Sequence, residues 1–188
     1  MKHVMIDLET LGTSPQAPIL SIGAVFFDPE TGETGRTLHD KLDFESACEG
    51  RAIDPATVKW WLTQSEDARQ ALLEDFGTSQ ISALELLTEF LSVGAVVWGN
   101  GAVFDISMLE DLYRQHEMRI PWTFWNVRDV RTIVDCAEGI ISKEDFEFEG
   151  VKHDALADAI HQAKYVSAMW QALRGDKKGR SKDTDNGS

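Results

Sequence analysis

Two carboxylates one residue apart, Asp7 and Glu9, close the first apolar run of the chain in the segment VMIDLET. Strand side chains alternate faces, so this spacing turns both acids to the same side, out of the sheet edge. Like charges held that close repel. A divalent cation between them relieves the repulsion, and carboxylate oxygens are the ligands that Mg2+ and Mn2+ prefer. The spacing alone does not single out the pair, because Asp28/Glu30, Asp43/Glu45 and Asp145/Glu147 share it. Asp28/Glu30 spans a proline turn and Asp43/Glu45 ends an exposed strand, so both read as solvated surface pairs. Only Asp7/Glu9 ends a run that reads as buried, and a plain polar strand end is the competing account.

Asp105 opens a helix just after an apolar strand and the Asn100-Gly101 turn. That placement carries its carboxylate to the strand ends where open α/β sheets bind ligands. A favourable charge on a helix N-terminus accounts for Asp105 equally well. Asp158 falls in the first turns of the last helix, with His153 five residues before it. On a continuous helix the two would stand about 140° apart, so His153 is expected to precede the helix. A histidine on a mobile loop beside a carboxylate suits a general base that takes a proton from water. Asp154 reads as an ordinary N-cap, and His3, His39, His116 and His161 are assigned no chemistry.

The elements that must position these groups are legible as alternating strand and helix patterns. Val4–Leu8, Ile19–Phe27 and Thr37–Phe44 read as a three-stranded meander. Asp54-Pro55 opens a helix over ATVKWWLTQ, and Ser65 opens another over ARQALLEDF, which Gly77 stops. Ser82 with Glu85 gives a capping-box pattern before a helix reaching Leu91. Ala95–Trp98 reads as a buried strand, 103–117 as a helix, Trp122–Val127 as a short strand and Asp129–Ala137 as a helix. From Ala155 to about Leu173, apolar residues recur at intervals of three and four, the stripe of a helix packed on a sheet.

At 188 residues the chain suits one domain with a real core. Its 32 acidic against 18 basic residues leave a net charge of −14, which argues against loose coating of long nucleic acid by a broad basic face but leaves room for a metal-assisted grip on one end. Residues 174–188 form a polar, partly basic tail expected to be disordered, leaving a domain over residues 1–173. Cys48 and Cys136 lie far apart and signal neither a disulfide framework nor a zinc site. No signal-peptide pattern or membrane-length apolar run occurs, so a cytoplasmic setting without a membrane partner is expected.

The segments DLET, NGAVFD and HDALAD, with Asp7, Glu9, Asp105, His153 and Asp158, resemble in order and context the three motifs of the DEDDh 3′→5′ exonucleases. The likeness spans residues from about 4 to 170. It implies an α/β ribonuclease H-like fold, a mixed five-stranded sheet with the first three strands antiparallel, flanked by helices. TVKWWLTQSEDAR and FWNVRDVRTI look like phage exonuclease A segments. Related text occurs in the ribonuclease T-like group, which includes part of prophage exodeoxyribonuclease VIII and a mycobacterial 3′ exoribonuclease. By this resemblance Asp7, Glu9, Asp105 and Asp158 hold two Mg2+ or Mn2+ ions, and His153 deprotonates the attacking water. The implied substrates are 3′ ends of single-stranded DNA or RNA, in a bacterial or phage-infected cell. Some relatives are homodimers.

The resemblance also places Thr10 and Leu11 at the terminal nucleotide, through backbone contacts and an apolar wedge, with a simple exit from strand to loop as the alternative. Trp61 and Phe104 are candidate base-stacking surfaces, although aromatics at helical spacing also serve as core. Gln64, Asn100 and Arg128 are polar residues inside the matching motifs. Arg128 is the candidate for a bidentate phosphate contact, with a structural pair to Asp129 as the alternative.

Overall fold

β1 (His3–Thr10) and β2 (Ile19–Phe27) run antiparallel, with His3 opposite Phe27 and Asp7 opposite Gly23. β3 (Thr34–Lys41) extends this meander on the far side of β2. β4 (Val96–Gly99) lies parallel to β1, and β5 (Val127–Asp129) parallel to β4. The strand order is β3-β2-β1-β4-β5, the mixed five-stranded α/β sheet that the sequence leads one to expect. This computed structural model describes residues 1–72 and 77–180.

Alternation along β1 divides the core. Val4, Ile6 and Leu8 face one layer, packing with Leu84 and Leu87 of α4 (Gln80–Phe90) and with Ile106, Leu109 and Leu112 of α5 (Asp105–Gln115). Met5 faces the other layer, where α6 (Val130–Cys136) contributes Val130 and Ile133. There α7 (Ala155–Arg180) lays Ala159, Ala163, Val166 and Met169 on the sheet. β2 is buried from end to end because both layers cover it, which explains its unbroken apolar text. Asp7 and Glu9 therefore lie on the face that α7 covers, at the end of β1.

Three shorter helices connect these parts: α1 (Phe44–Cys48), α2 (Pro55–Trp61) and α3 (Glu66–Leu72). Several boundaries depart from the sequence reading for local reasons. Asp43 is an N-cap and not the end of a strand, since its carboxylate accepts the Ser46 N–H at 2.8 Å and β3 has already stopped at Lys41. Ser79, extended and accepting the Ser82 N–H at 3.2 Å, caps α4 three residues before the expected box. Phe124–Asn126 form a 3-10 turn, so the strand is confined to Val127–Asp129. The expected helix over ARQALLEDF is described only as far as Leu72, and its remainder lies outside the described residues. The end expected near Leu173 falls inside α7, which continues to Arg180. Arg174 stacks over the Trp170 ring at 4.9 Å and pairs with Glu30, tying that turn down. Residues 181–188 of the expected tail lie outside the described residues.

One close approach sets where α7 begins. A Cβ at Gly23 would stand 2.1 Å from the carbonyl carbon and oxygen of Ala155, so backbone rests on backbone there. Gly23→Ala should push the N-terminus of α7 off the sheet and destabilise the fold by about 1–3 kcal/mol, the usual cost of overpacking. Urea unfolding measures it, and unchanged stability would contradict the contact.

Candidate active site

Parallel alignment brings the C-terminal ends of β1 and β4 to the same edge of the molecule. Asp105, the first residue of α5, is 2% exposed behind that edge, and its Oδ2 lies 2.9 Å from where a Cβ on Gly99 would be. A side chain at the end of β4 would crowd this carboxylate, and Gly99 leaves it room. From the opposite layer the first turn of α7 brings Asp158. Asp154 caps that turn, its Oδ1 accepting the Ala157 N–H at 2.9 Å. Asp7 accepts a hydrogen bond from Gln162 Nε2 at 2.7 Å, one turn further along α7. Glu9 is 8% exposed between the two layers. The four acids from three distant segments thus share one cleft.

Their titration reflects that crowding. Burial pushes Glu9 up to about 8, and the charges of Asp158, Asp154 and Asp105 add to it. Burial raises Asp7 well above the carboxylate range, with Asp105, Glu9 and Asp158 adding and Gln162 opposing. Asp105 is raised by burial to about 7, even with main-chain hydrogen bonds and the field of Arg131 pulling it down. Asp158 is raised by burial, against hydrogen bonding from the His153 main chain. The cleft holds more negative charge than its own cations neutralise. Asp105 Oδ2 is moreover buried without any hydrogen-bond partner. An orphaned carboxylate oxygen among like charges fits a hard divalent cation.

His153 precedes α7, as its offset from Asp158 requires. Its backbone is left-handed at φ 64°, and its N–H donates to Asp158 Oδ2 at 2.9 Å. One side-chain donor atom each from Glu9, His153 and Asp158 lie within 4.8 Å of one another. The imidazole is braced edge-on by Trp60 and Trp61, at centroid distances of 4.9 and 6.0 Å. A 450 Å³ pocket opens beside it, bounded by Glu9, Thr10, Thr57, Trp60 and Phe104 among others.

The remaining expected contact residues divide. Thr10 and Phe104 line that pocket. Trp61 also borders it but is 4% exposed, and its Nε1 donates to the Thr10 carbonyl at 2.9 Å, so it anchors the end of β1 and offers no open stacking face. Leu11 turns into the core instead of forming a wedge, with its main chain bonded to Pro18 and Asp54. Gln64 closes the end of α2, its Nε2 donating to the Trp60 carbonyl at 3.1 Å. Asn100 offers Asp105 its main chain. Arg128 points the other way: its Nη1 donates to the carbonyls of Trp125 and Val127, and it lines a cavity with Lys2, His3 and Trp170 at the opposite end of β1. It makes no pair with Asp129, whose carboxylate accepts the N–H groups of Ala102 and Arg131. Gln162, Arg131, Gly23 and Gly99 were not singled out from sequence. The signal available for Gln162 was its place four residues after Asp158, on the same helical face.

A family model described as the Rv2179c-like 3′-5′ exoribonuclease domain matches residues 2–170. The chain belongs to this family. It is also 28% identical over 210 residues to an exodeoxyribonuclease of Enterobacteria phage T4, covering 93% of this chain and 90% of that one. Among solved structures, the nuclease domain of 3′hExo, a DEDDh family member bound to rAMP, superposes with a TM-score of 0.59 at 14% identity. That match covers 90% of this chain and 91% of that one. E. coli exonuclease I in complex with a dT13 oligonucleotide gives 0.68 at 16% identity, over 94% of this chain and 42% of that larger one. These likenesses place the sheet and its flanking helices in the ribonuclease H-like fold. No helix among the described residues is long and apolar enough to cross a membrane.

Glu9 and Asp105 hold protons in the folded state that the unfolded chain has released by pH 5, so stability of the metal-free protein should fall as pH rises from about 4.5 to about 8. Thermal melts in EDTA across that range test the slope. At pH 8 Asp105→Asn should be more stable than wild type in EDTA by about 1–3 kcal/mol, the order of a buried unsatisfied group. Added Mn2+ should stabilise wild type more than the variant.

Proposed function

We propose that this protein is a divalent-metal-dependent 3′→5′ exonuclease acting on single-stranded nucleic acid ends. The observation that carries the proposal is the convergence of Asp7, Glu9, Asp105 and Asp158 in one cleft, with His153 held within reach of Glu9 and Asp158. Those four carboxylates would hold two Mg2+ or Mn2+ ions. Such ions, when bound, neutralise charge on the phosphoryl group and stabilise the attacking and leaving oxygens of an in-line displacement.

The chain's own residues supply the rest. The pocket bounded by Thr10, Trp60 and Phe104 takes the 3′-terminal nucleotide and sets its phosphate over the carboxylates. His153 accepts the proton of a water as its oxygen attacks phosphorus. The bond to the 3′ oxygen of the preceding nucleotide breaks. Nucleoside 5′-monophosphate leaves, and the shortened strand keeps a 3′ hydroxyl once that oxygen takes a proton. Asp158 accepts the His153 N–H and thereby fixes the ring's backbone, while Trp60 and Trp61 fix its plane. A chain with a net charge of −14 has little long-range attraction for a polyanion, so short or single-stranded ends suit it better than long duplex tracts.

The family's description names an exoribonuclease and the phage T4 relative is an exodeoxyribonuclease, so both sugars belong in the test. Matched DNA and RNA strands labelled at either end, followed by gel in Mn2+, Mg2+ or EDTA, should ladder from the 3′ end only with metal. His153→Ala should slow cleavage by about 10²–10⁴-fold, the range for loss of a general base. Asp7→Asn should abolish it. Absence of shortening for either strand under either metal would refute the assignment.

A further inference from the structure

We propose that Arg131 grips a backbone phosphate of the substrate strand on the 5′ side of the scissile bond; this rests on the exonuclease reading above. Arg131 sits in the first turn of α6, which is tied to the loop between β4 and α5 through Asp129. That carboxylate caps α6 by accepting the Arg131 N–H at 2.8 Å and accepts the Ala102 N–H at 2.6 Å. Both its oxygens are therefore occupied by main chain, and it leaves the guanidinium unneutralised. The guanidinium lies flat against Gly101, its carbon 3.0 Å from where a Cβ would be. Gly101 adopts φ 103°, a conformation suited to glycine, and is thus doubly required at this spot.

Three features separate this arginine from several others of the chain. Arg51, Arg114 and Arg174 are committed to Asp111, Glu110 and Glu30, and Arg128 to two carbonyls. Arg131 is exposed, and among the described residues its side chain makes no hydrogen bond or ion pair. Its field nevertheless reaches the cleft, since it acts on both Asp105 and Tyr165. A free guanidinium at the rim of an anionic cleft offers the planar fork that matches phosphate oxygens.

Direction along the strand follows from the two sides of the cleft. The nucleotide-sized pocket is lined from the end of β1, from α2 and by Phe104. Arg131 follows β5, which β4 separates from β1 in the sheet, and its guanidinium rests on Gly101. A strand with its last nucleotide in the pocket and its scissile phosphate over the four acids continues toward Arg131 in the 5′ direction.

The test compares two substrates that differ in having that phosphate. A single-stranded oligonucleotide carries it; the p-nitrophenyl ester of thymidine 5′-monophosphate has a scissile phosphate and nothing beyond. Arg131→Gln should raise KM for the oligonucleotide about tenfold, with kcat changed less, and shift kcat/KM for the ester less than twofold. The slope of log(kcat/KM) against log[salt] for the oligonucleotide should become shallower by about one contact's worth. Arg131→Lys should restore that slope with only part of the affinity, because the charge returns without the fork. Equal losses on both substrates would mean that Arg131 acts on the carboxylates, and no loss on either would mean that it touches no substrate. Each result overturns the proposal while leaving the exonuclease reading intact. A wild-type protein inert on both substrates would overturn the two together.

Discussion

Gathering four carboxylates in one partly desolvated cleft is unfavourable, and the surrounding structure exists in large part to hold them there. Each acid repels the next, and desolvation penalises every ionised form. A flexible assembly would relax by letting one side chain swing into solvent. This fold denies that escape with rigid elements: a central strand for Asp7 and Glu9, and the first turns of two helices in opposite layers for Asp105 and Asp158. That repulsion is what a hard cation bound among the four acids would relieve.

The two helices reach the cleft by the same device, a missing side chain. Gly99 lets the Asp105 carboxylate lie against the end of β4, and Gly23 lets the start of α7 lie against β2. Neither glycine bears chemistry. Both set distances that chemistry needs, as do Trp61, which pins the Thr10 carbonyl, and Asp154, which caps the turn before Asp158.

Much of this was legible in the sequence because it depends on local pattern. Strand alternation put Asp7 and Glu9 on one face, the Asn100-Gly101 turn put Asp105 at a helix start, and helical geometry placed His153 outside α7. What was not legible depends on direction and on partners far away in the chain. Arg128 and Arg131 stand three residues apart in the same motif, yet only the register of β5 and the cap at Asp129 decide which one turns to the cleft. Trp61 and Leu11 looked available for bases because their burial is created by neighbours from other segments. Ser79 outcompeted Ser82 as the start of α4 through a backbone conformation that composition does not encode.

The last helix is fastened at both ends to different parts of the sheet. Near its start Ala155 abuts Gly23, and toward its far end Trp170 donates to Glu30 at 2.9 Å while Gln171 reaches the Pro29 carbonyl. Asp158 and Trp170 are separated by about 18 Å of helix at the standard rise. A helix is stiff along its axis, so this one works as a strut braced between the β2–β3 turn and the cleft. The axial position of Asp158 is thereby fixed partly by contacts about 18 Å away from it. Changes in the β2–β3 turn, remote from the four acids, bear on the geometry of their cleft as a mechanical load bears on the far end of a beam.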